Sequence, residues 1–306
     1  MRTNALGGPL LLLGLAAAGC NGDPEDTDTG EPPLEHQFSF AVLADPHITG
    51  NPDHAARLTA AVDWINGQEQ ARSIELVFVV GDIAWGNGFG DARDILDGLS
   101  IPYLPLTGDN EIQVGDEEEY DTTWTPHYVA VATQLEGWRR AETPSWNPER
   151  ETQSWFQNFS FQHRGVHFVA VDWPSREIDT FFGETADLHD FAGGTWPWFV
   201  DDLARLTSPA GESVVMLSHM PMHLGMFSGA ELETVTDLTS SMGDVVAANY
   251  AGHYHIDVEQ VIDDGDYDLF VTDATWDDDN RVRLVEVWGN GERFEYVQEL
   301  IDAPIP

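Results

Sequence analysis

The sequence of 306 residues contains no lysine, and its 13 arginines are outnumbered by 54 acidic side chains. The formal net charge is therefore −41 at pH 7. A surface of this charge repels polyanions, so nucleic-acid polymers are excluded as expected partners. The acidic runs do not have the spacing of a calcium-binding loop, and we interpret them as a solvated surface.

Cysteine is almost as scarce, since Cys20 is the only one in the chain. A single thiol cannot form an intramolecular disulfide, so its role must be a different one. Long apolar runs are also lacking near the N-terminus, where the run at residues 10–18 is too short to cross a bilayer as a mature helix. With Arg2 before it and Gly19 after it, this run has the layout of a secretory signal.

The residues before Cys20 indicate what the thiol does. The segment Ala17-Ala18-Gly19-Cys20 resembles the lipobox of bacterial lipoproteins, which implies that Cys20 is acylated and becomes the mature N-terminus after cleavage. The alternative is an ordinary signal peptide that contains an incidental cysteine.

The N-terminal composition also suggests how the chain is divided. Residues 20–36 are acidic and rich in Gly, Pro and Thr, which is typical of a flexible tether. We therefore expect a signal peptide over 1–19, a tether over 20–36 and one folded domain over 37–306. The expected location is the bacterial cell envelope, on its periplasmic or outer-membrane face, with a lipid anchor in the membrane.

The folded part alternates short apolar runs with helical patterns, which favours an α/β fold. Strands are expected at residues 38–44, 75–80, 102–106, 158–161, 166–172, 213–217, 245–250, 255–262, 267–272, 281–287 and 293–299. Helices are expected at residues 53–66, 92–99 and 196–206. Residues 116–155 have poor periodicity and are expected to form loops with one helix over the site.

Five polar motifs each follow one of these strands. They are Asp45-Pro46-His47, Gly81-Asp82, Gly108-Asp109-Asn110-Glu111, Ser218-His219-Met220-Pro221 and Gly252-His253-Tyr254-His255. Because ligands of open α/β sheets bind beyond the carboxyl ends of the strands, we expect these side chains to converge. Carboxylate and amide oxygens mixed with imidazoles suit Mn, Fe or Zn, and seven such ligands exceed the need of one ion. The motifs therefore predict two metal ions.

In this order, the motifs resemble those of the calcineurin-like metallophosphoesterase family, and the resemblance spans residues 38–299. It implies a four-layer α/β/β/α sandwich of two mixed sheets, the metallo-dependent phosphatase fold. It also implies two divalent or trivalent ions (Mn, Fe or Zn) and hydrolysis of a phosphate ester, either a monoester or a diester, by a hydroxide that bridges them.

The same resemblance implies a division of the ligands between the two ions. One ion would take Asp45, His47 and His255, and Asp82 would bridge the two. The other ion would take His219, His253 and one residue of the third motif. Asp82 is thereby a candidate catalytic residue as well as a ligand.

The third motif departs from the family pattern, which is Gly-Asn-His followed by Asp or Glu. Aligned without a gap, Asp109 is the ligand and Asn110 replaces the histidine. Shifted by one residue, Asn110 is the ligand and Glu111 follows it. We prefer Asn110 because this alignment keeps an amide ligand, and we take Asn110 and Glu111 as candidate catalytic residues.

Under either alignment the family's histidine, which helps to protonate the leaving oxygen, is missing. His223, four residues after His219, is our candidate substitute. A guanidinium that grips the substrate phosphate is expected from one of Arg139, Arg140, Arg150, Arg164 and Arg176. Core packing is the default role of the tryptophans in this part of the chain, but they could also line a pocket for an organic group. These residues are Trp124, Trp138, Trp146, Trp155 and Trp173.

A different class of function stays open beside the hydrolase. A non-catalytic, metal-binding surface lipoprotein with a degenerate phosphoesterase site would bind metal without turning over any ester. The sequence leaves the substrate open and predicts a monomer.

The lipobox generates a prediction that is separate from the catalytic one. Cys20→Ser should abolish acylation and release the protein from the membrane fraction, because no thiol remains to be modified. Labelling with a radioactive fatty acid and fractionation of cells would measure this. Turnover per folded molecule should stay unchanged, and a variant that remains membrane-bound would contradict the anchor.

Overall fold

The computed structural model describes residues 32–113, 116–176, 185–206, 212–223, 225–277 and 280–305. The expected signal peptide, Cys20 and most of the expected tether lie outside these residues. Residues 34–306 form one unit of the chain. Within the described ranges, no helix combines the length and the apolar character needed to span a membrane.

The described residues contain fourteen strands and five α-helices. The strands are β1 (Glu35–Leu43), β2 (Ile74–Val79), β3 (Tyr103–Pro105), β4 (Glu136–Arg140), β5 (Ser145–Asn147), β6 (Thr152–Ser154), β7 (Phe159–His163), β8 (Val166–Val171), β9 (Ser213–Ser218), β10 (Val246–Ala251), β11 (Val258–Ile262), β12 (Tyr267–Val271), β13 (Arg281–Gly289) and β14 (Phe294–Asp302). The helices are α1 (Pro52–Arg72), α2 (Gly88–Leu96), α3 (Asp116–Val131), α4 (Thr195–Leu203) and α5 (Gly229–Ser241).

The strands build two mixed sheets and one small hairpin. The first sheet has the order β14-β13-β1-β2-β3, in which β1, β2 and β3 are parallel and β13 and β14 are antiparallel additions. The second has the order β11-β12-β10-β9-β8-β7-β4, with β8, β9, β10 and β12 parallel. Strands β5 and β6 pair separately. This is the α/β fold that the sequence pattern predicts, with the two mixed sheets that the family resemblance implies.

An aromatic core joins the facing sides of the two sheets. The ring of Phe40 on β1 lies 5.4 Å from Phe168 on β8 and 5.4 Å from Tyr250 on β10, measured between ring centroids. Phe78 on β2 lies 5.1 Å from Phe168 as well. Such edge-on and tilted pairs add to the burial of large apolar area. The pairs fix the two sheets against each other.

Alternation along the second sheet directs its other side chains to the helices. Phe168 and Ala170 of β8 belong to the core between the sheets, whereas Val169 and Val171 pack in a separate cluster with Phe199 of α4. Because side chains of a strand alternate between the two faces, one strand serves both layers. Helix α5 supplies Val235 to this second cluster.

Helices α1 and α5 begin at residues that suit helix starts. Asn51 precedes α1, accepts a hydrogen bond from the Asp53 N–H at 3.1 Å and is followed by Pro52. Ser228 precedes α5 and forms a capping box with Glu231. Both arrangements satisfy N–H groups that a helix start leaves unpaired.

Each expected strand is confirmed by the structure. The three expected helices are also present, as α1, α2 and α4, but their ends differ from those expected. The helix expected at 53–66 runs to Arg72, and residues 116–155 contain α3 with three short strands. Helix α5 has no counterpart among the expected elements. Its sequence is rich in threonine and serine, so its apolar periodicity is weak.

Candidate metal centre

The expected ligands meet at the carboxyl ends of β1, β2, β9 and β10, where the two sheets come together. They form two groups, in each of which the potential ligand atoms lie within 4.8 Å of one another. The first group, cluster 1, is Asp45, His47, Asp82 and His255. The second group, cluster 2, is Asp109, His219 and His253.

Cluster 1 is arranged around the Nε2 atoms of its two histidines. His47 Nε2 lies 3.2 Å from His255 Nε2, 3.8 Å from Asp45 Oδ1 and 3.5 Å from Asp82 Oδ2. His255 Nε2 lies 3.3 Å from Asp45 Oδ1. Asp45 is fully buried, whereas the side chain of His255 is 32% exposed. Access to the cluster is therefore open on the side of His255.

Cluster 2 converges on one carboxylate oxygen. Asp109 Oδ1 lies 2.9 Å from His219 Nε2 and 3.0 Å from His253 Nδ1. The other ring nitrogen of His219, Nδ1, lies 2.9 Å from the carbonyl oxygen of Val80. A contact of this kind to a backbone carbonyl fixes the orientation of a ligand imidazole and leaves Nε2 facing the cluster.

Asp82 lies between the two clusters. Its Oδ2 is 3.5 Å from His47 Nε2 in cluster 1, and its Oδ1 is 3.4 Å from His219 Nε2 in cluster 2. A carboxylate that presents one oxygen to each group has the geometry required of a bridging ligand. The bridging role itself stays a prediction.

Most of the ligands have an unusual backbone. Asp45, His47 and Asp82 have φ values of 50°, 50° and 49°, and those of His253 and His255 are 73° and 53°. This left-handed region is unfavourable for residues with a side chain, at about 1–3 kcal/mol each, and such residues cluster at functional sites. The strain turns side chains from separate loops toward one point.

Glycines beside the ligands allow the loops to approach closely. A Cβ atom on Gly108 would lie 2.3 Å from the backbone nitrogen of Asp82, and one on Gly252 would lie 2.6 Å from Asp45 Oδ2. These contacts leave no space for any other residue. The residue after Gly252 connects the second sheet to the first. The N–H of His253 donates to both carboxylate oxygens of Asp45, at 3.1 and 3.2 Å.

The third motif places its three polar residues in three different roles. Asp109 lies in cluster 2. Asn110 lies beside the carboxylate of Asp82, to which its side chain donates at 2.6 Å and its backbone N–H at 3.0 Å. Asp109 thus contacts the histidines of cluster 2, and the Asn110 amide lies beside the carboxylate that both clusters share. Ligation by Asn110, the alternative preferred from the sequence, stays a prediction beside ligation by Asp109.

Glu111 is fully buried, and its carboxylate accepts backbone hydrogen bonds. The N–H groups of Gly108, Asp82 and Ala84 donate to it at 2.6, 3.0 and 3.0 Å. Burial, with the nearby charge of Asp82, raises the pKa of Glu111 to about 8. Its contacts tie the second motif to the third, so a positioning role is visible, and the predicted catalytic role stays a prediction.

The charges of the two clusters require a cation. Burial raises the pKa of Asp82, because the charged carboxylate loses its solvation. Burial acts in the same direction on Asp109, but hydrogen bonds from His219 and His253 outweigh it and hold the pKa of Asp109 at about 2. Burial would lower the pKa of His219, yet the neighbouring carboxylates, Asp82 foremost, raise it well above its usual value. Metal ions bound here would neutralise the buried carboxylates, and the mixture of carboxylate oxygens and imidazole nitrogens fits two ions.

His223 is connected to the metal centre through Tyr254. Its Nε2 lies 2.8 Å from the hydroxyl oxygen of Tyr254, the residue between the ligands His253 and His255. The rings of Tyr254 and His253 lie 5.6 Å apart. His223 also lines a groove of about 930 Å³ between α5 and β11. The side chain is thus placed between the centre and solvent.

Four of the five arginines proposed as phosphate ligands pair with acidic side chains. Arg139 pairs with Asp201 and Asp202, Arg140 with Asp121, Arg164 with Glu75, and the fully buried Arg176 with Asp172 and Glu117. Arg150 lies between β5 and β6. Of the tryptophans proposed for a pocket, Trp124 and Trp173 are fully buried, and Trp138 packs against the core. These positions favour structural roles.

Two other tryptophans, not singled out in the sequence, lie beside cluster 1. The ring centroids of Trp85 and Trp276 are 5.1 and 5.7 Å from that of His47. Trp276 also lies 5.6 Å from His255 and 5.5 Å from His54. Their positions in the sequence could have indicated that they lie near the site, because Trp85 is three residues after Asp82 and Trp276 follows β12.

The comparisons with known proteins agree with this geometry. The family model for calcineurin-like phosphoesterases matches residues 38–258. Among solved structures, a Staphylococcus aureus protein assigned as a 5′-nucleotidase has a similar fold, with 13% identity and a TM-score of 0.51. The match covers 87% of this chain and 54% of that one, so the chain spans about half the length of that protein.

Other solved structures are more distant. The sulfate thiohydrolase SoxB of Thermus thermophilus has 11% identity and a TM-score of 0.44, with 89% of this chain and 58% of that chain covered. The GAP50 anchor of the Plasmodium inner membrane complex has 13% identity and a TM-score of 0.43, with coverages of 89% and 90%. No curated protein matches the sequence.

The contacts of the third motif generate a test of the ligand assignment. Asp109→Ala should weaken binding of the ion of cluster 2 until dialysis removes it, because only His219, His253 and the shared carboxylate of Asp82 would remain to hold it. Asn110→Ala should keep both ions. Metal content per chain after dialysis, measured by mass spectrometry of the elements, should fall from about two to about one only in the first variant. The opposite pattern would restore Asn110 as the ligand.

Proposed function

The chain belongs to the calcineurin-like phosphoesterase family, and from this premise we propose that it hydrolyses a phosphate ester at the two clusters. The observation that carries the proposal is the position of Asp82, with one carboxylate oxygen toward each cluster. A pair of ions bound there would supply a nucleophilic hydroxide near neutral pH and neutralise charge on the phosphoryl oxygens. One ion would be held by Asp45, His47 and His255. The other ion would be held by Asp109, His219 and His253, and Asp82 would bind both ions.

The residues around the ligands keep them in place for this chemistry. Glu111 fixes the backbone of the second and third motifs through its three hydrogen bonds. Val80 orients the imidazole of His219, and Asp45 accepts the His253 N–H across the two sheets. Preorganised ligands avoid reorganisation when charge develops in the transition state. The substrate would approach from the exposed side of His255.

We further propose that the substrate is a phosphodiester. A net charge of −41 disfavours the dianion of a monoester more than the single charge of a diester. This difference favours a diester over a monoester.

The proposed location follows from the N-terminal sequence. A lipid on Cys20 and an extended tether over residues 20–36 would place the domain within roughly 50–60 Å of a membrane. The enzyme would then act at the bacterial cell envelope on substrates near that surface. The lipobox pattern and the acidic, proline-containing segment support this proposal.

The diester proposal predicts a substrate preference. The purified protein, supplied with Mn²⁺, should hydrolyse bis(p-nitrophenyl) phosphate with a higher kcat/KM than p-nitrophenyl phosphate. Release of p-nitrophenolate measures both reactions. Asp82→Asn should lower kcat by at least about 10²-fold, because one shared ligand of both ions is weakened.

The outcomes separate the two classes of function. Monoester preference would overturn the diester proposal and leave the hydrolase standing. Two bound ions without turnover of either ester would favour the non-catalytic lipoprotein. A protein that binds no metal would contradict both.

We propose that His223 supplies the proton for the leaving oxygen. It is hydrogen-bonded to Tyr254 beside the ligands and lines the groove between α5 and β11, through which solvent can return a proton. Proton donation matters most when the leaving group is poorly acidic.

A leaving-group series tests this role. His223→Gln should slow release of phenol from phenyl esters by about 10²-fold but that of p-nitrophenol far less, because p-nitrophenolate leaves without a proton. His163→Gln is a matched control, since His163 lies at the end of β7 and pairs with Glu75, at the opposite end of β2 from Asp82. Equal slowing of both leaving groups by His223→Gln would assign it a structural role.

A further inference from the structure

Cluster 1 is bordered by apolar surface in a strongly acidic chain. Trp85 is 38% exposed and packs against the ligand His47, with the two ring planes at 87°. Ile256, which is 55% exposed, directly follows the ligand His255. Large exposed apolar side chains beside a site with polar ligands are typical of surfaces that bind an organic group.

The backbone around Trp85 is held firmly. Ala84 forms an isolated bridge with Ile48, and its N–H donates to the buried carboxylate of Glu111 at 3.0 Å. The carbonyl of Trp85 accepts from the Gly88 N–H at 3.1 Å. Gly88 itself lies so close to Ile48 that a Cβ atom there would be 1.9 Å from the Ile48 carbonyl oxygen. The indole therefore extends from a fixed support.

Trp276 supports the same wall from a second direction. The N–H of Thr275 donates to the carbonyl of Ala44 at 2.8 Å, which attaches this loop to the end of β1 next to Asp45. The Trp276 ring contacts both ligand imidazoles of cluster 1. His47 thus lies in contact with two indoles, of which Trp85 is the more exposed.

We propose that Trp85 binds a planar aromatic group of the phosphate ester and so determines the substrate class. The inference rests on the proposed function, because the two clusters would hold the phosphoryl group. A rigid indole gains most from another planar ring, since stacked and edge-on aromatic pairs add attraction beyond the area that they bury. A second anionic group would be repelled by the acidic chain, so the group at Trp85 is uncharged.

Binding of phosphonates that the enzyme cannot hydrolyse tests this inference without turnover. The Mn²⁺-loaded protein should bind phenylphosphonate about fivefold more tightly than methylphosphonate, as one aromatic contact predicts. Trp85→Ala and Trp85→Leu should reduce this ratio to about one. Trp85→Phe should retain most of it. Isothermal titration calorimetry would give the dissociation constants, and metal content would be measured in each variant.

Two controls separate this inference from the proposed function. Trp146→Ala removes a tryptophan of β5 that is 54% exposed, and it should leave the ratio unchanged. Inorganic phosphate should bind the wild type and Trp85→Ala equally. The aromatic subsite would be overturned if Trp85→Ala kept the wild-type ratio of phenylphosphonate to methylphosphonate affinity, or if that ratio were about one in the wild type. Binding of inorganic phosphate would still support the proposed hydrolase in that case. If the wild type did not bind phosphate, both the subsite and the hydrolase would be overturned.

Discussion

The convergence of three buried carboxylates is the constraint on which the rest of the site depends. Asp45, Asp82 and Asp109 come from three different loops, and each lies within 4 Å of a histidine nitrogen. Their mutual repulsion in a buried place is costly unless positive charge is supplied. The pKa of His219 rises for this reason. Two metal ions would supply this positive charge, and the donor set of carboxylates and imidazoles suits them.

This convergence is possible because two sheets bring their carboxyl ends to one place. The aromatic pairs of Phe40 with Phe168 and Tyr250 hold the sheets together. At those ends the ligands adopt left-handed backbone conformations, and Gly108 and Gly252 permit contacts that a Cβ atom would prevent. The free energy gained by packing in the core therefore compensates for the strained backbone at the site, as is usual for functional loops.

Much of this arrangement could be predicted from the sequence, because apolar runs closed by polar motifs specify both strands and ligand positions. The ambiguity between Asp109 and Asn110 could not be resolved there, since adjacent residues differ only in where a loop directs their side chains. Trp85 and Trp276 were missed for a related reason: single aromatic residues carry no periodicity, and their contacts with His47 join distant parts of the chain. Helix α5 was missed because threonine and serine weaken its apolar pattern.

Charge and shape together restrict what this site can accept. Four of the five arginines considered for gripping phosphate are used in ion pairs, such as that of Arg176 with Asp172 and Glu117. Attraction of the substrate must then come from the metal centre at short range and from apolar contact at its border, because the long-range field of the chain repels anions. A substrate with one negative charge and an uncharged planar group satisfies both conditions. The same acidic surface would select against highly charged esters, because it repels them more strongly than esters with one charge.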